Sequence, residues 1–240
     1  MPARDTRQRR KNSRRPARLP VSISLILERL GALYGPVEWK SRYNALDELI
    51  FTVLTQHTSD LNAERAFNEL RRRMPRWEDV MAADTADVIA AIRQGGLANQ
   101  KSVRIRDILI TVLERHGSLE LEFLRGLRLE EARQWLTALP GVGPKTAAVV
   151  MAFSLGMPAM PVDTHIHRVA GRLGLIRRGT SADDAHWVLE EIVAPEDRFP
   201  LHVLLITHGR RICKSRRPLC AQCPLQVECP ASTAFLASGG

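Results

Sequence analysis

An all-α fold is predicted by two observations. From Val21 onward apolar residues recur every three or four positions, with little sustained period-2 alternation. The one glycine-rich turn with a clear sequence signature, at residues 139–147, has helical sequence on both sides.

Taken in order, Ser22 to Leu33 sets Ile23, Ile26, Leu27, Leu30 and Leu33 on one helical face. Ala45 to Leu54 is apolar on several sides (Leu46, Leu49, Ile50, Phe51, Val53, Leu54), the pattern of a central buried helix. Asn62 to Arg73 is amphipathic, and Arg71, Arg72 and Arg73 read as a solvated helix end where positive charge suits the dipole. Trp77 to Arg93 divides into two short helices, with Asp84 as a cap and Gly95-Gly96 as the stop. Lys101 to His116 lines up Ile105, Ile108, Leu109, Val112 and Leu113. Leu129, Ala132, Leu136 and Leu139 keep the helical period up to the turn. Later helices are expected over Thr164 to Gly174, Ala182 to Val193 and Leu201 to Gly209, about a dozen short helices in all.

The segment Leu139-Pro140-Gly141-Val142-Gly143-Pro144-Lys145-Thr146-Ala147 is the centre of the chain. Gly141 and Gly143 permit a sharp turn with outward amides, and Pro144 suits the first helical position. Helix, hairpin and helix together form a phosphate site, because unpaired N–H groups and the positive dipole end converge there. A grip of that kind carries no sequence information. Lys145 falls in the first turn, where the dipole disfavours a cation and favours the neutral amine that a covalent nucleophile needs. A phosphate-binding P-loop is excluded, since that motif puts Gly directly before Lys-Thr and Pro144 stands there.

The 240 residues suffice for one or two domains and a sizeable core. Of the net charge of +9, residues 1–20 carry +7 (eight Arg and Lys against Asp5), leaving +2 for the rest. That tail has too few apolar residues to make a core, and it reads as disordered. It would add salt-sensitive, non-specific DNA affinity, serve as an organellar transit peptide, or be an extension without a role of its own. No apolar h-region follows it and no run approaches a membrane span, so an intracellular, soluble, nucleoid-associated protein is expected.

All four cysteines, Cys213, Cys220, Cys223 and Cys229, fall within 17 residues as C-x6-C-x2-C-x5-C. Without a secretion signal a disulfide framework is disfavoured, which leaves Zn²⁺ or an iron–sulfur cluster. Structural zinc favours two paired knuckles, and one pair is present; the uneven spacing suits a strand wound round a larger object. Lys214, Arg216 and Arg217 lie between the first two cysteines, on a loop that a metal centre would hold rigid against phosphates. Val162-Asp163-Thr164-His165-Ile166 sets Asp163 at a helix N-cap, 18 residues after Lys145.

The hairpin helix, the V-D-T-H-I segment and the cysteine spacing together resemble endonuclease III, of the helix–hairpin–helix superfamily of DNA repair glycosylases. The resemblance covers roughly residues 22–231. It implies two helical domains flanking a DNA-binding cleft: a six-helix barrel at 38–157, with the helix–hairpin–helix at 129–155, and a cluster domain made of 21–37 and 158–240. It implies Lys145 as the nucleophile, Asp163 as the catalytic aspartate, and a [4Fe–4S] cluster on the four cysteines. Leu139, Gly141, Val142 and Gly143 would contact DNA. Leu97, after Gly96, matches the family's leucine wedge. The family also inserts a Gln from an L-S-x-Q-x-T-D segment. Here the stretch from Leu54 to Asp60 puts His57 on that Gln, with Gln56 one place earlier. Phe commonly follows the family's D-T-H-I, whereas His167 stands here, and Pro144 replaces an Arg.

The implied activity is that of a monomeric bifunctional DNA glycosylase and abasic-site lyase acting on duplex DNA with oxidised or saturated pyrimidines or abasic sites. Two alternatives stay open: a monofunctional mismatch glycosylase using water activated by Asp163, and a non-catalytic, cluster-bearing DNA-binding module.

Overall fold

The structure is a computed structural model that describes residues 19–237. All but the last two residues of the basic tail lie outside the described residues. Among those described there are twelve α-helices and no strand, and no helix is long and apolar enough to cross a membrane. The chain divides into two compact units, one of residues up to Trp39 together with those from Pro158 onward, the other of Lys40–Met157.

In the first unit, α1 (Ile23–Tyr34) is capped by Ser22, whose hydroxyl accepts from the Leu25 N–H at 3.2 Å. The chain returns through an extended stretch into α9 (Thr164–Arg172), α10 (Ala182–Ile192), α11 (Arg198–Arg211) and the short α12 (Ser232–Ala237). Ile26 and Leu30 of α1, Ile166 and Val169 of α9, Leu189 of α10, and Leu201 and Leu205 of α11 share one buried core. α11 packs on both α1 and α9. At Gly209 the approach of α9 to α11 is so close that a Cβ would lie 3.0 Å from His165 Cβ and 3.2 Å from Val169 Cγ2.

The second unit is built round α2 (Ala45–Thr55), in which every residue from Ala45 to Leu54 except Asp47 is buried. Its start is fixed twice: Asn44 Oδ1 accepts from the Asp47 N–H at 2.8 Å, and Glu122 Oε1 accepts from the Ala45 N–H at 2.9 Å. The buried Glu48 carboxylate on this helix is paired with Arg42, whose guanidinium lies 4.4 Å from the Phe51 ring centre. Around it stand α3 (Asp60–Arg73), α4 (Trp77–Ala82), α5 (Thr85–Ile92), α6 (Ala98–His116), α7 (Leu129–Thr137) and α8 (Pro144–Phe153).

Three local expectations change. Arg72 and Arg73 are held by Glu69, but Arg71 folds back 4.4 Å over the Trp77 ring instead of standing free in solvent. Asp84 occupies the N-cap position of α5 without a side-chain cap bond. α6 begins at Ala98, three residues earlier than the apolar period indicates, because Ala98, Asn99 and Gln100 carry no large apolar side chain.

Gly209→Ala should lower stability by about 1 kcal/mol. A gain of about 1 kcal/mol in helix propensity is outweighed by overpacking of about 1–3 kcal/mol. The expected fall in Tm is about 2–4 °C, read by thermal denaturation.

Candidate nucleic-acid interface

The hairpin between α7 and α8 is made by short local bonds. The Leu139 N–H donates to Leu136 O at 3.1 Å and the Val142 N–H to Leu139 O at 3.2 Å, while Gly141 takes φ +68°. Leu139 and Val142 are buried and anchor the turn. The N–H groups of Gly141 and Gly143 have no acceptor among the described residues. Gly143 is the N-cap of α8, with Pro144 at the first position, no side-chain cap and no acidic residue in the first turn. That combination leaves donors and a positive dipole end unanswered, as an anion site requires. Lys145 is exposed in the same first turn.

Two further turns of this unit carry strained residues. Leu97 has φ +50°, precedes α6 and stays 48% exposed despite its apolar side chain. His57, just after α2, has φ +55° and is exposed. Left-handed non-glycine residues of this kind cost about 1–3 kcal/mol and gather at functional sites. Both turns are tied to α6. The buried Lys101 ammonium donates to Leu54 O and to Gly95 O, each at 2.7 Å, and burial lowers its pKa. One turn further on, Arg104 Nη1 donates to Gln56 Oε1 at 2.8 Å. The Arg104 side chain also lies against the hairpin: a Cβ on Gly141 would come within 2.7 Å of Arg104 Cδ. Gln56 and His57 therefore separate in role, the first held by α6 and the second exposed on the bend.

In the other unit, Asp163 is the N-cap of α9, and its Oδ1 accepts from the Ile166 N–H at 2.7 Å. Its other carboxylate oxygen has no protein partner among the described residues. The extended segment leading to it is pinned by buried polar groups. Glu190 Oε1 accepts from the Met160 N–H at 2.9 Å, His186 Nδ1 sits 2.8 Å from Met160 O, and His202 Nδ1 lies 2.9 Å from Pro161 O. His167 reaches Thr180 O at 2.8 Å through Nε2, a loop-bracing bond.

The four cysteines line one cavity together with Val169, Leu173 and His208. Among the described residues no three His, Cys, Asp or Glu side chains close on a single point that would hold one metal ion. Four thiols round one space supply the soft sulfur donors that either zinc or an iron–sulfur cluster takes. Burial raises the pKa of Cys220 and Cys229 and pushes Cys223 up to about 11, so free thiols there stay protonated at neutral pH. Arg172 donates to Cys213 Sγ at 3.3 Å, to Lys214 O at 2.7 Å and to Ser215 O at 3.0 Å, holding the first cysteine and the loop after it. Arg168 adds bonds to Cys213 O at 3.0 Å and Gly209 O at 2.8 Å. His208, lowered to about 4 by burial and therefore neutral, stands between the Tyr34 hydroxyl (3.0 Å from Nδ1) and Cys223 Sγ (3.5 Å from Nε2). Lys214, Arg216 and Arg217 are exposed without a carboxylate partner among the described residues, and Arg217 has φ +48°.

Sequence reading missed Lys101, Arg104, Arg168, Arg172 and His208. Arg168 and Arg172 share a face of α9 four residues apart, a detectable spacing; the partners of the other three are distant in sequence.

Residues 50–195 match the HhH-GPD superfamily of base excision DNA repair proteins. A putative DNA glycosylase of Arabidopsis thaliana is 37% identical over 187 residues, which are 78% of this chain and 61% of that protein. Endonuclease III of Thermotoga maritima is 35% identical over 182 residues, 75% of this chain and 80% of the relative. Among solved structures, a trapped endonuclease III–DNA covalent intermediate with an estranged adenine superposes with a TM-score of 0.75. It is 28% identical and covers 89% of this chain and 97% of that one.

Replacing Lys101 with Met should destabilise the protein by about 2 kcal/mol. Each buried carbonyl left without a donor costs about 1–3 kcal/mol, and relief of the buried charge offsets part of that. Urea denaturation measures it as a lower midpoint at unchanged slope.

Proposed function

This chain belongs to the HhH-GPD superfamily of base-excision DNA repair proteins and is an endonuclease III-like DNA glycosylase; from that premise we propose that it is bifunctional, releasing oxidised or saturated pyrimidines from duplex DNA and then nicking the abasic strand. The observation that carries this reading is the exposed Lys145 amine in the first turn of α8, directly beside unpaired hairpin amides suited to the backbone of the same strand.

In this reading the hairpin amides and the basic loop of Lys214, Arg216 and Arg217 grip phosphates, Leu97 enters the base stack, and the damaged nucleotide swings out. Weakly stacked lesions flip at least cost. The Lys145 nitrogen bonds to the sugar C1′ as the glycosidic bond breaks and its electron pair leaves with the base. Asp163 stabilises the positive charge on the sugar or helps deprotonate the amine; its oxygen not used in the cap is the one suited to either role. The ring then opens to an iminium, loss of the C2′ proton breaks the C3′–O bond, and hydrolysis of the imine frees Lys145.

Cys213, Cys220, Cys223 and Cys229 would hold a [4Fe–4S] cluster, which here supplies a rigid core for the basic loop. Arg172 and His208 would then be hydrogen-bond donors to its cysteine sulfurs.

Borohydride reduction during reaction with thymine-glycol and abasic duplexes should trap a covalent adduct with the wild type and none with Lys145→Gln. Base release without an adduct would instead establish hydrolysis by water, and binding without release a non-catalytic module. Asp163→Asn should slow base release at least about 10²-fold, measured in single turnover, since a lost charge-stabilising or proton-accepting group costs that much. Freshly purified protein should be brown and bleach on oxidation, and Cys223→Ser should reduce the colour; a colourless protein carrying zinc would refute the cluster.

A further inference from the structure

Arg104 is a cation without an anion. Its Nη1 donates to the neutral amide oxygen of Gln56 at 2.8 Å. Among the described residues no carboxylate lies within ion-pair distance of it, and its Nε and Nη2 have no acceptor. The side chain is half-exposed. A guanidinium carries five N–H donors and no acceptor, so most of this fork stays open.

The fork lies against the hairpin. Arg104 Cδ stands 2.7 Å and Cζ 3.0 Å from the point that a Cβ of Gly141 would occupy. That point is about 2.5 Å from the Gly141 backbone nitrogen by covalent geometry. The guanidinium carbon is therefore within about 5.5 Å of an N–H that has no acceptor among the described residues. Donors so spaced can share one phosphate, whose oxygens each accept at about 2.9 Å. Glycine at 141 thus serves two ends: it takes φ +68°, and its missing side chain lets the guanidinium approach.

The electrostatics lead to the same place. The turn that holds Gly141 runs into the open start of α8, which has a positive dipole end and no acid in its first turn. Packing a cation there adds repulsion that an anion would cancel. The cation is also held in place. Lys101, one turn earlier on α6, bonds Leu54 O and Gly95 O, and Gln56 holds Nη1. A charge fixed in advance loses little freedom when it binds.

We propose that Arg104 is a phosphate contact of the hairpin, reaching in from a helix outside the helix–hairpin–helix: its free donors bind the DNA backbone phosphate that also accepts from the Gly141 N–H. This rests on the DNA-binding part of the proposed function and deepens it with a further binding residue.

The test is the salt dependence of binding, which stands apart from catalysis. A duplex with a tetrahydrofuran abasic analogue is titrated by fluorescence anisotropy at several salt concentrations, and log affinity is plotted against log salt. Each phosphate neutralised contributes about 0.9 to the slope. Arg104→Met should reduce the slope by about 0.9 and weaken binding about tenfold at low salt. The loss should be the same whichever base stands opposite the analogue, because a phosphate contact carries no sequence information. Arg104→Lys keeps the charge and should keep the wild-type slope. Arg104→Gln serves where Arg104→Met folds poorly and should show the same reduced slope. A guanidinium that only braces the two turns would weaken binding at unchanged slope. That result, or a loss confined to one opposite base, would overturn the proposal. The bifunctional reading is judged separately by the borohydride adduct: its absence with the slope difference intact would remove the lyase and leave the phosphate contact.

Discussion

The Lys101 ammonium is buried among neutral groups and has two carbonyl oxygens for company, those of Leu54 and Gly95. Burying a charge in this way is costly unless its donors are satisfied, so the geometry round it has little freedom. Leu54 lies two residues before Gln56, and Gly95 lies two before Leu97. A single side chain therefore fixes the spacing of the two turns that carry the exposed strained residues. The close approach at Gly95, whose Cβ would come 3.1 Å from Ala66 Cβ, adds a steric limit to the polar one. Arg104, one helical turn along, extends the same control to the Gln56 amide and to the hairpin.

The unit that contains the cysteines uses a different device for a similar end. Its α9 begins at Asp163 and presents Arg168 and Arg172 on one face, so the helix bearing the proposed catalytic carboxylate also grips the cysteine loop through main-chain oxygens and Cys213 Sγ. Guanidinium groups suit this task because a planar fork of donors can hold several acceptors at once. The basic loop is positioned by guanidinium groups that bind its main-chain oxygens, and its own cations Lys214, Arg216 and Arg217 stay exposed.

Helix starts in this protein fall into two kinds. Those of α1, α2, α3, α9 and α10 are closed by Ser22, Asn44, Ser59, Asp163 and Ser181. The starts of α5, α6, α8 and α11 have no side-chain cap bond, and that of α8 joins this to a glycine at the cap and no acid in its first turn. A glycine cap forgoes roughly a few tenths of a kcal/mol against Ser or Asn, and the donors it leaves are those an anion would satisfy. The contrast lies in the residue at the cap, which makes it readable without coordinates.

That is where the division between sequence and structure falls. Helical period, caps and glycine turns act over at most four residues, so the extents of α1, α2 and α9, the hairpin, and Asp163 as a cap could all be read from the chain. The cysteine spacing, over 17 residues, pointed to a shared cavity because four thiols so near in sequence stay near in space. What no local rule reaches is a partner chosen by packing: Gln56 with Arg104 across 48 residues, Lys101 with Leu54 across 47, Arg172 with Cys213 across 41. Arg71 looked like a solvated charge until the fold brought Trp77 beneath it. Sequence alone determined which segments are helices and which residues are proposed for the chemistry. Tertiary packing decided how those residues are aimed, because orientation depends on neighbours that meet only when the core closes.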